Sequence, residues 1–212
     1  MAEKFFDSWF YWISQFSLFC WLKVWLRFRS KGSENVPSEG GCILAANHVS
    51  YLDPPVVGAG IHHRVVHFMA RDTLFSSKLG RWFMTNAQCI PLDRTKGDVG
   101  ALRKALSFLK EGKVLALFPE GTRSVDGEMQ SAKGGIGFLI AKAGIPVVPA
   151  YISGTFRSFP RHARYVRPGR VEIVYGKPIK PEEFMSFGND REAYEAIGKL
   201  VMRRIAELRS NP

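Results

Sequence analysis

Apolar and polar positions divide the chain into two stretches with different patterns. From Ser8 to Leu22 no residue is charged, and aromatic side chains recur at helical spacing at Trp9, Trp12, Phe16 and Phe19, with Phe10, Ile13, Leu22 and Trp25 filling other faces. This pattern predicts an amino-terminal helix over about residues 5–28. From Gly32 onward, short apolar runs bounded by turn residues alternate with helical stretches, which is the signature of an α/β domain. The runs predict strands at Cys42 to Ala46, Val65 to Ala70, Ile90 to Leu92, Val114 to Phe118, Pro146 to Ile152 and Val171 to Tyr175. Val99, Leu102, Leu106 and Leu109, at three- and four-residue spacing, predict a helix over 98–110 that stops at Gly112, and a further helix over 190–208 closes the chain. The expected fold is α/β: one domain, residues 32–212, with a mostly parallel central sheet flanked by helices. A hydrophobic, aromatic-rich helical segment, residues 1–31, precedes it.

Composition narrows this picture. At 212 residues there is room for one such domain and no second catalytic one. The three cysteines, Cys20, Cys42 and Cys89, are scattered without metal-ligand or disulfide-framework spacing, so no metal is expected and a reducing compartment is. The uncharged amino-terminal stretch falls short of the ~20 residues that span a hydrocarbon core, and no small-residue cleavage site follows it. Its rings suit the headgroup level and Lys23, Arg27, Arg29 and Lys31 flank it, so it reads as an interfacial or partly inserted helix; the plain alternative is a helix packed on the domain. The net charge of +11 calls for an anionic partner: nucleic acid, a phospholipid surface or a phosphorylated small molecule. Arg157, Arg161, Arg164, Arg167 and Arg170 concentrate that charge with no acid between Thr155 and Arg170, facing either an anionic lipid surface, the phosphates of a substrate, or solvent alone.

Groups that do chemistry in a sheet of this kind sit where strands end. The first predicted strand runs into His48, with Asp53 five residues on; such a carboxylate can fix the imidazole tautomer while the other ring nitrogen removes a proton from a hydroxyl. Asp53, followed by Pro54, also suits the N-cap of a helix. The fourth strand ends in Phe118-Pro119-Glu120-Gly121-Thr122-Arg123-Ser124, where glycine permits close backbone approach and arginine offers a planar fork for phosphate oxygens. The third ends in Ile90-Pro91-Leu92-Asp93-Arg94, a second arginine at the same edge if the strands are parallel. His62, His63 and His67 have no acidic neighbour at useful spacing and read as surface or packing residues. Ser50 lacks the G-x-S-x-G turn of a serine nucleophile.

In order and spacing, HVSYLD (His48 to Asp53), IPLDR closing at Arg94, FPEGTRS (Phe118 to Ser124) and Val147-Val148-Pro149 resemble the four blocks of the glycerolipid acyltransferases. The likeness covers about residues 32–180. One departure is visible: the second block in that family often opens with glycine, where this chain has Gln88 or Cys89. The resemblance implies His48 as general base, Asp53 as its orienting partner, Arg94 and Arg123 as ligands of the acceptor phosphate, and Glu120, Gly121 and Thr122 as further parts of the acceptor site. It implies direct transfer to the sn-2 hydroxyl of lysophosphatidic acid without an acyl-enzyme. Acyl-CoA or acyl carrier protein serves as co-substrate, with no separate cofactor. The expected setting is the cytoplasmic face of a bacterial inner membrane, with the phospholipid surface as partner. Other lysolipids or glycerol phosphate share these blocks as acceptors. A basic nucleic-acid-binding protein is the reading from another class; the chain lacks the aromatic-plus-basic signature of RNA-binding sheets, so no nucleic-acid partner is expected.

Overall fold

The computed structural model describes residues 2–92 and 99–210. Along the chain lie α1 (Ala2–Leu26), β1 (Arg29–Lys31), β2 (Cys42–Ala46), α2 (Asp53–Ala59), β3 (Val66–Arg71), α3 (Lys78–Asn86), β4 (Cys89–Leu92), α4 (Val99–Lys110), β5 (Val114–Leu117), α5 (Gly134–Ala143), β6 (Val147–Ser153), α6 (Thr155–Ser158), β7 (Glu172–Tyr175), α7 (Glu182–Met185) and α8 (Arg191–Ser210). The strands form one seven-stranded sheet in the order β1-β7-β6-β2-β5-β3-β4. The pairs from β6 to β4 are all parallel, as expected. β7 runs antiparallel to β6, and β1 pairs parallel to β7, so one edge of the sheet is reversed.

Apolar layers cover both faces, which is why the central strands read as continuous apolar runs. Along β2 the side chains alternate: Cys42, Leu44 and Ala46 join Leu22, Leu26, Phe28, Val56 and Val57 on one face. Ile43 and Ala45 join Leu109, Leu139, Ile140, Ile197, Val201 and Ile205 on the other.

α1 uses two opposite faces. Tyr11, Gln15, Leu22 and Leu26 turn inward, spaced in turns of the helix, and are buried. The Tyr11 hydroxyl accepts the Val66 N–H at 3.0 Å, and the Gln15 amide donates to the carbonyls of Gly58, at 2.7 Å, and Ile61. On the outer face Ile13, Phe16 and Val24 are exposed, Phe16 by 68% and Val24 by 81%. The packing reading of this helix holds for its inner side, and its outer side presents apolar side chains. Among the described residues no helix is long and apolar enough to cross a membrane.

His63 is a surface residue and His67 a packing one, as expected: Nε2 of His63 donates to the Val36 carbonyl at 3.1 Å. His67 is buried, donates from Nδ1 to the Val114 carbonyl at 3.2 Å and meets the Phe108 ring edge-on. Burial is the main force that pushes its pKa from 6.5 down to about 4. The unfolded chain thus takes up this proton first on acidification, so the stability in question is present above pH 6.5 and lost as pH falls through about 4. A displacement of this size corresponds to a loss on the order of 3 kcal/mol. His67→Gln, whose amide can still donate to Val114, should flatten the fall of the urea midpoint between these pH values; an unchanged slope would assign the acid sensitivity to other groups.

Candidate active site

Because β2, β5, β3 and β4 are parallel, their carboxyl ends meet at one edge of the sheet. Beyond β2, the buried Asn47 ties that edge to β6: its amide donates to the Ile152 carbonyl at 3.0 Å and its carbonyl accepts the Ile152 N–H at 2.7 Å. His48 follows directly. Its backbone is held by the turn after β5, for its N–H donates to Glu120 Oε1 at 2.9 Å and its carbonyl accepts the Ser124 N–H at 2.8 Å. The turns bearing HVSYLD and FPEGTRS are thus one interlocked structure.

Asp53 gathers three donors on Oδ2: Nδ1–H of His48 at 2.8 Å and the N–H groups of Val49 and Ser50, each at 2.7 Å. The side chain is fully buried. The N-cap role that Pro54 also suggested for it is not taken. α2 begins at Asp53 itself and Leu52 stands at the cap, without a side-chain bond. Pro54 and Pro55 offer no N–H to accept, so the carboxylate turns back to the loop it follows. With Nδ1–H committed to Asp53, Nε2 of His48 is the nitrogen with the free lone pair, and it has no hydrogen-bond partner among the described residues. The ring stacks on Phe118, centroids 4.0 Å apart, and keeps 15% of its surface exposed. Ser50 is excluded as a nucleophile: its buried hydroxyl donates to the Phe159 carbonyl at 2.7 Å and accepts the Leu52 N–H at 3.1 Å.

Glu120 is fully buried, and both carboxylate oxygens are used by backbone, Oε1 by His48 and Oε2 by the Gln130 N–H at 3.1 Å. Burial foremost, and the charge of Asp53, raise its pKa above the ordinary carboxylate range against the pull of those two N–H bonds. It clamps the two turns together. Gly121 takes the left-handed conformation, φ +67°, closing the turn by donating to the Phe118 carbonyl at 2.9 Å; a β-carbon there would press on the Lys133 side chain. Thr122 is exposed. The Arg123 guanidinium lies over the Tyr51 ring, 3.4 Å from its centroid, and its Nη1 is buried without a hydrogen-bond partner. Arg94 lies outside the described residues.

Two residues at this edge were not singled out from sequence. Tyr51 is the platform for Arg123, and nothing in HVSYLD announces that contact. Arg71 closes β3 at the same edge, opposite Leu92 of β4. It carries the signal that marked Arg94, a cation just past an apolar strand. Gln88, at the position where the family often has glycine, holds φ +57°, a left-handed backbone that glycine adopts without strain.

The site joins an oriented imidazole base to a guanidinium with an unsatisfied donor, the means to deprotonate a hydroxyl on a molecule that also carries an anion. Comparison with known proteins agrees. The sequence profile of the family described as Acyltransferase matches residues 27–153. A 1-acyl-sn-glycerol-3-phosphate acyltransferase of Bacillus subtilis is 28% identical over 193 residues, 88% of this chain and 92% of that protein. A chloroplastic 1-acyl-sn-glycerol-3-phosphate acyltransferase of Brassica napus is 32% identical over 70% of this chain, which spans only 44% of that longer protein. The crystal structure of the 1-acyl-sn-glycerophosphate acyltransferase PlsC from Thermotoga maritima superimposes with a TM-score of 0.73 at 31% identity, covering 92% of this chain and 76% of that one. With sequence profile and fold in agreement, the chain belongs to the acyltransferase family, among the PlsC-type 1-acyl-sn-glycerol-3-phosphate acyltransferases.

Proposed function

We propose that the protein transfers a fatty acyl group from acyl-CoA or acyl carrier protein to the sn-2 hydroxyl of lysophosphatidic acid, giving phosphatidic acid. The observation that carries this reading is the pairing of His48 with Asp53 at 2.8 Å, which leaves Nε2 free for the hydroxyl. Nε2 takes the hydroxyl proton as the oxygen attacks the thioester carbonyl. Asp53 stabilises the imidazolium that forms. The tetrahedral intermediate collapses, the carbon–sulfur bond breaks, and the departing thiolate takes the proton from His48. No acyl-enzyme forms, in keeping with a Ser50 hydroxyl already engaged by backbone. Arg123 receives the acceptor phosphate on its unpaired Nη1, with Arg94 as the second ligand, while Gly121 and Thr122 border the phosphate and Glu120 holds the turn. The test is to incubate the purified protein with lysophosphatidic acid and a ladder of acyl thioesters, and to identify the product by mass. Transfer to another lysolipid but not to lysophosphatidic acid would reassign the acceptor.

Residues 1–31 serve this chemistry by holding the 32–212 domain against the cytoplasmic leaflet, supported by the exposed apolar face of α1. Deleting the segment would be a poor test, since Leu22, Leu26 and Phe28 belong to the core. Ile13→Glu, Phe16→Glu and Val24→Glu alter only exposed positions. Each should weaken vesicle co-sedimentation by about tenfold, as expected when ~1.5 kcal/mol of apolar burial is lost. Turnover of a short-chain, water-soluble acceptor should persist; undiminished vesicle binding in the triple variant would exclude this face as the contact.

A further inference from the structure

The longest run of like charge outside the catalytic turns, five arginines with no acid from Thr155 to Arg170, lies between β6 and β7. Arg157, Arg161, Arg164, Arg167 and Arg170 are all exposed. None has a carboxylate within ion-pairing distance among the described residues. The segment that carries them is closed at its base. Gly154, at φ +84°, turns the chain out of β6 against the Arg170 carbonyl, where any side chain would collide. Across the loop the Arg167 N–H donates to the Ser158 carbonyl at 2.8 Å.

This loop is fixed to two places that matter. On one side it joins the end of α1: Trp25 Nε1–H donates to the Val166 carbonyl at 3.1 Å, and the Val171 N–H to the Leu26 carbonyl at 3.0 Å. On the other it joins the catalytic turn, through Ser50 Oγ on the Phe159 carbonyl at 2.7 Å and the Tyr51 and Phe159 rings, centroids 6.0 Å apart. Tyr51 is the residue on which Arg123 lies. The exposed apolar end of α1, the arginines and the acceptor side of the site are therefore linked by consecutive direct contacts.

We propose that the loop spanning residues 154–171 is a binding surface for the acidic headgroups of phospholipids, and that it seats the catalytic turn on the membrane. The inference rests on the reading of the enzyme as one that works at a membrane surface. Five cations without carboxylate partners, set three or four residues apart, suit a plane of many headgroups better than the few phosphates of one acyl donor. Tyr165, 68% exposed between Arg164 and Arg167, adds a ring of the kind that settles at headgroup depth. Trp21, Val24 and Trp25, exposed on the adjoining turns of α1, supply apolar surface beside the charge.

The experiment uses the full chain and Arg161→Gln/Arg164→Gln/Arg167→Gln, with the matching triple lysine variant, on phosphatidylcholine vesicles with and without phosphatidylglycerol. At low salt the glutamine variant should bind the acidic vesicles about a hundredfold more weakly, roughly fivefold per arginine, and high salt should erase the difference. The lysine variant should bind like the parent, which separates charge from folding. Neutral vesicles should be bound alike by all three, and the KM for acyl-CoA with a soluble acceptor should not change. Equal binding of acidic vesicles by parent and glutamine variant overturns the proposal. So does a raised KM for acyl-CoA with vesicle binding intact, which would assign the arginines to the donor. Absence of transfer by the parent protein would count against the acyltransfer reading alone, because the vesicle comparison is read without turnover.

Discussion

His48→Ala is expected to lower turnover of lysophosphatidic acid by about 10²- to 10⁴-fold, the usual contribution of a positioned general base, while thermal stability and vesicle binding stay close to those of the parent. The separation is possible because different atoms of His48 do different things. Its N–H and carbonyl hold the turn through Glu120 and Ser124, and these survive in alanine. Its ring contributes the bond to Asp53 and the stack on Phe118. Asp53 offers no such separation. Asp53→Asn keeps one oxygen for the three donors but puts an amide NH₂ where the buried Oδ1 has no partner among the described residues. That variant should lose turnover and also about 1–3 kcal/mol of stability, the cost of a buried unsatisfied donor. Steady-state kinetics beside thermal melts of both variants would check this, and near-normal turnover in His48→Ala would remove the residue from the mechanism.

What could be read from the sequence followed from how strongly each segment is constrained. The strands of the parallel half appear within a residue or so of their predicted bounds because they are buried on both faces and had to be apolar throughout. β1, Arg-Ser-Lys at the edge, is specified by backbone pairing with β7 and has no side-chain pattern to detect. α2 has only seven residues and opens on Asp-Pro-Pro; α5 opens on two glycines and is apolar on several faces, so neither shows a helical period. The reversal of β7 depends on where the loop after Gly154 returns, which apolar alternation does not encode. In the site, His48, Glu120 and Arg123 could be picked out as candidates just past strand ends, and Asp53 by its spacing from His48. Their partners were not. That Glu120 spends both oxygens on backbone, or that Arg123 rests on Tyr51, depends on two loops meeting across the sheet edge.

Arg123→Ala is expected to raise the KM for lysophosphatidic acid by about 10- to 100-fold, as loss of a charge-assisted hydrogen bond worth roughly 1.5–3 kcal/mol implies, and to leave the KM for the acyl thioester nearly unchanged. The guanidinium is already held flat on the Tyr51 ring, so little freedom is lost when a phosphate arrives. Its Nη1 is buried with nothing to donate to, a cost in the free protein that an anion removes. For the same reason the alanine variant should melt at or slightly above the parent temperature, since no intramolecular hydrogen bond of that buried Nη1 is given up. Arg123→Lys should recover part of the affinity, keeping the charge and losing both the fork and the flat stack. Tyr51→Leu should fall between parent and alanine, because it frees the guanidinium without deleting it. If both substrates lost affinity equally in Arg123→Ala, or if the protein melted several degrees lower, Arg123 would be a support of the turn and the phosphate would have to be held elsewhere along the edge that Arg71 and β4 complete.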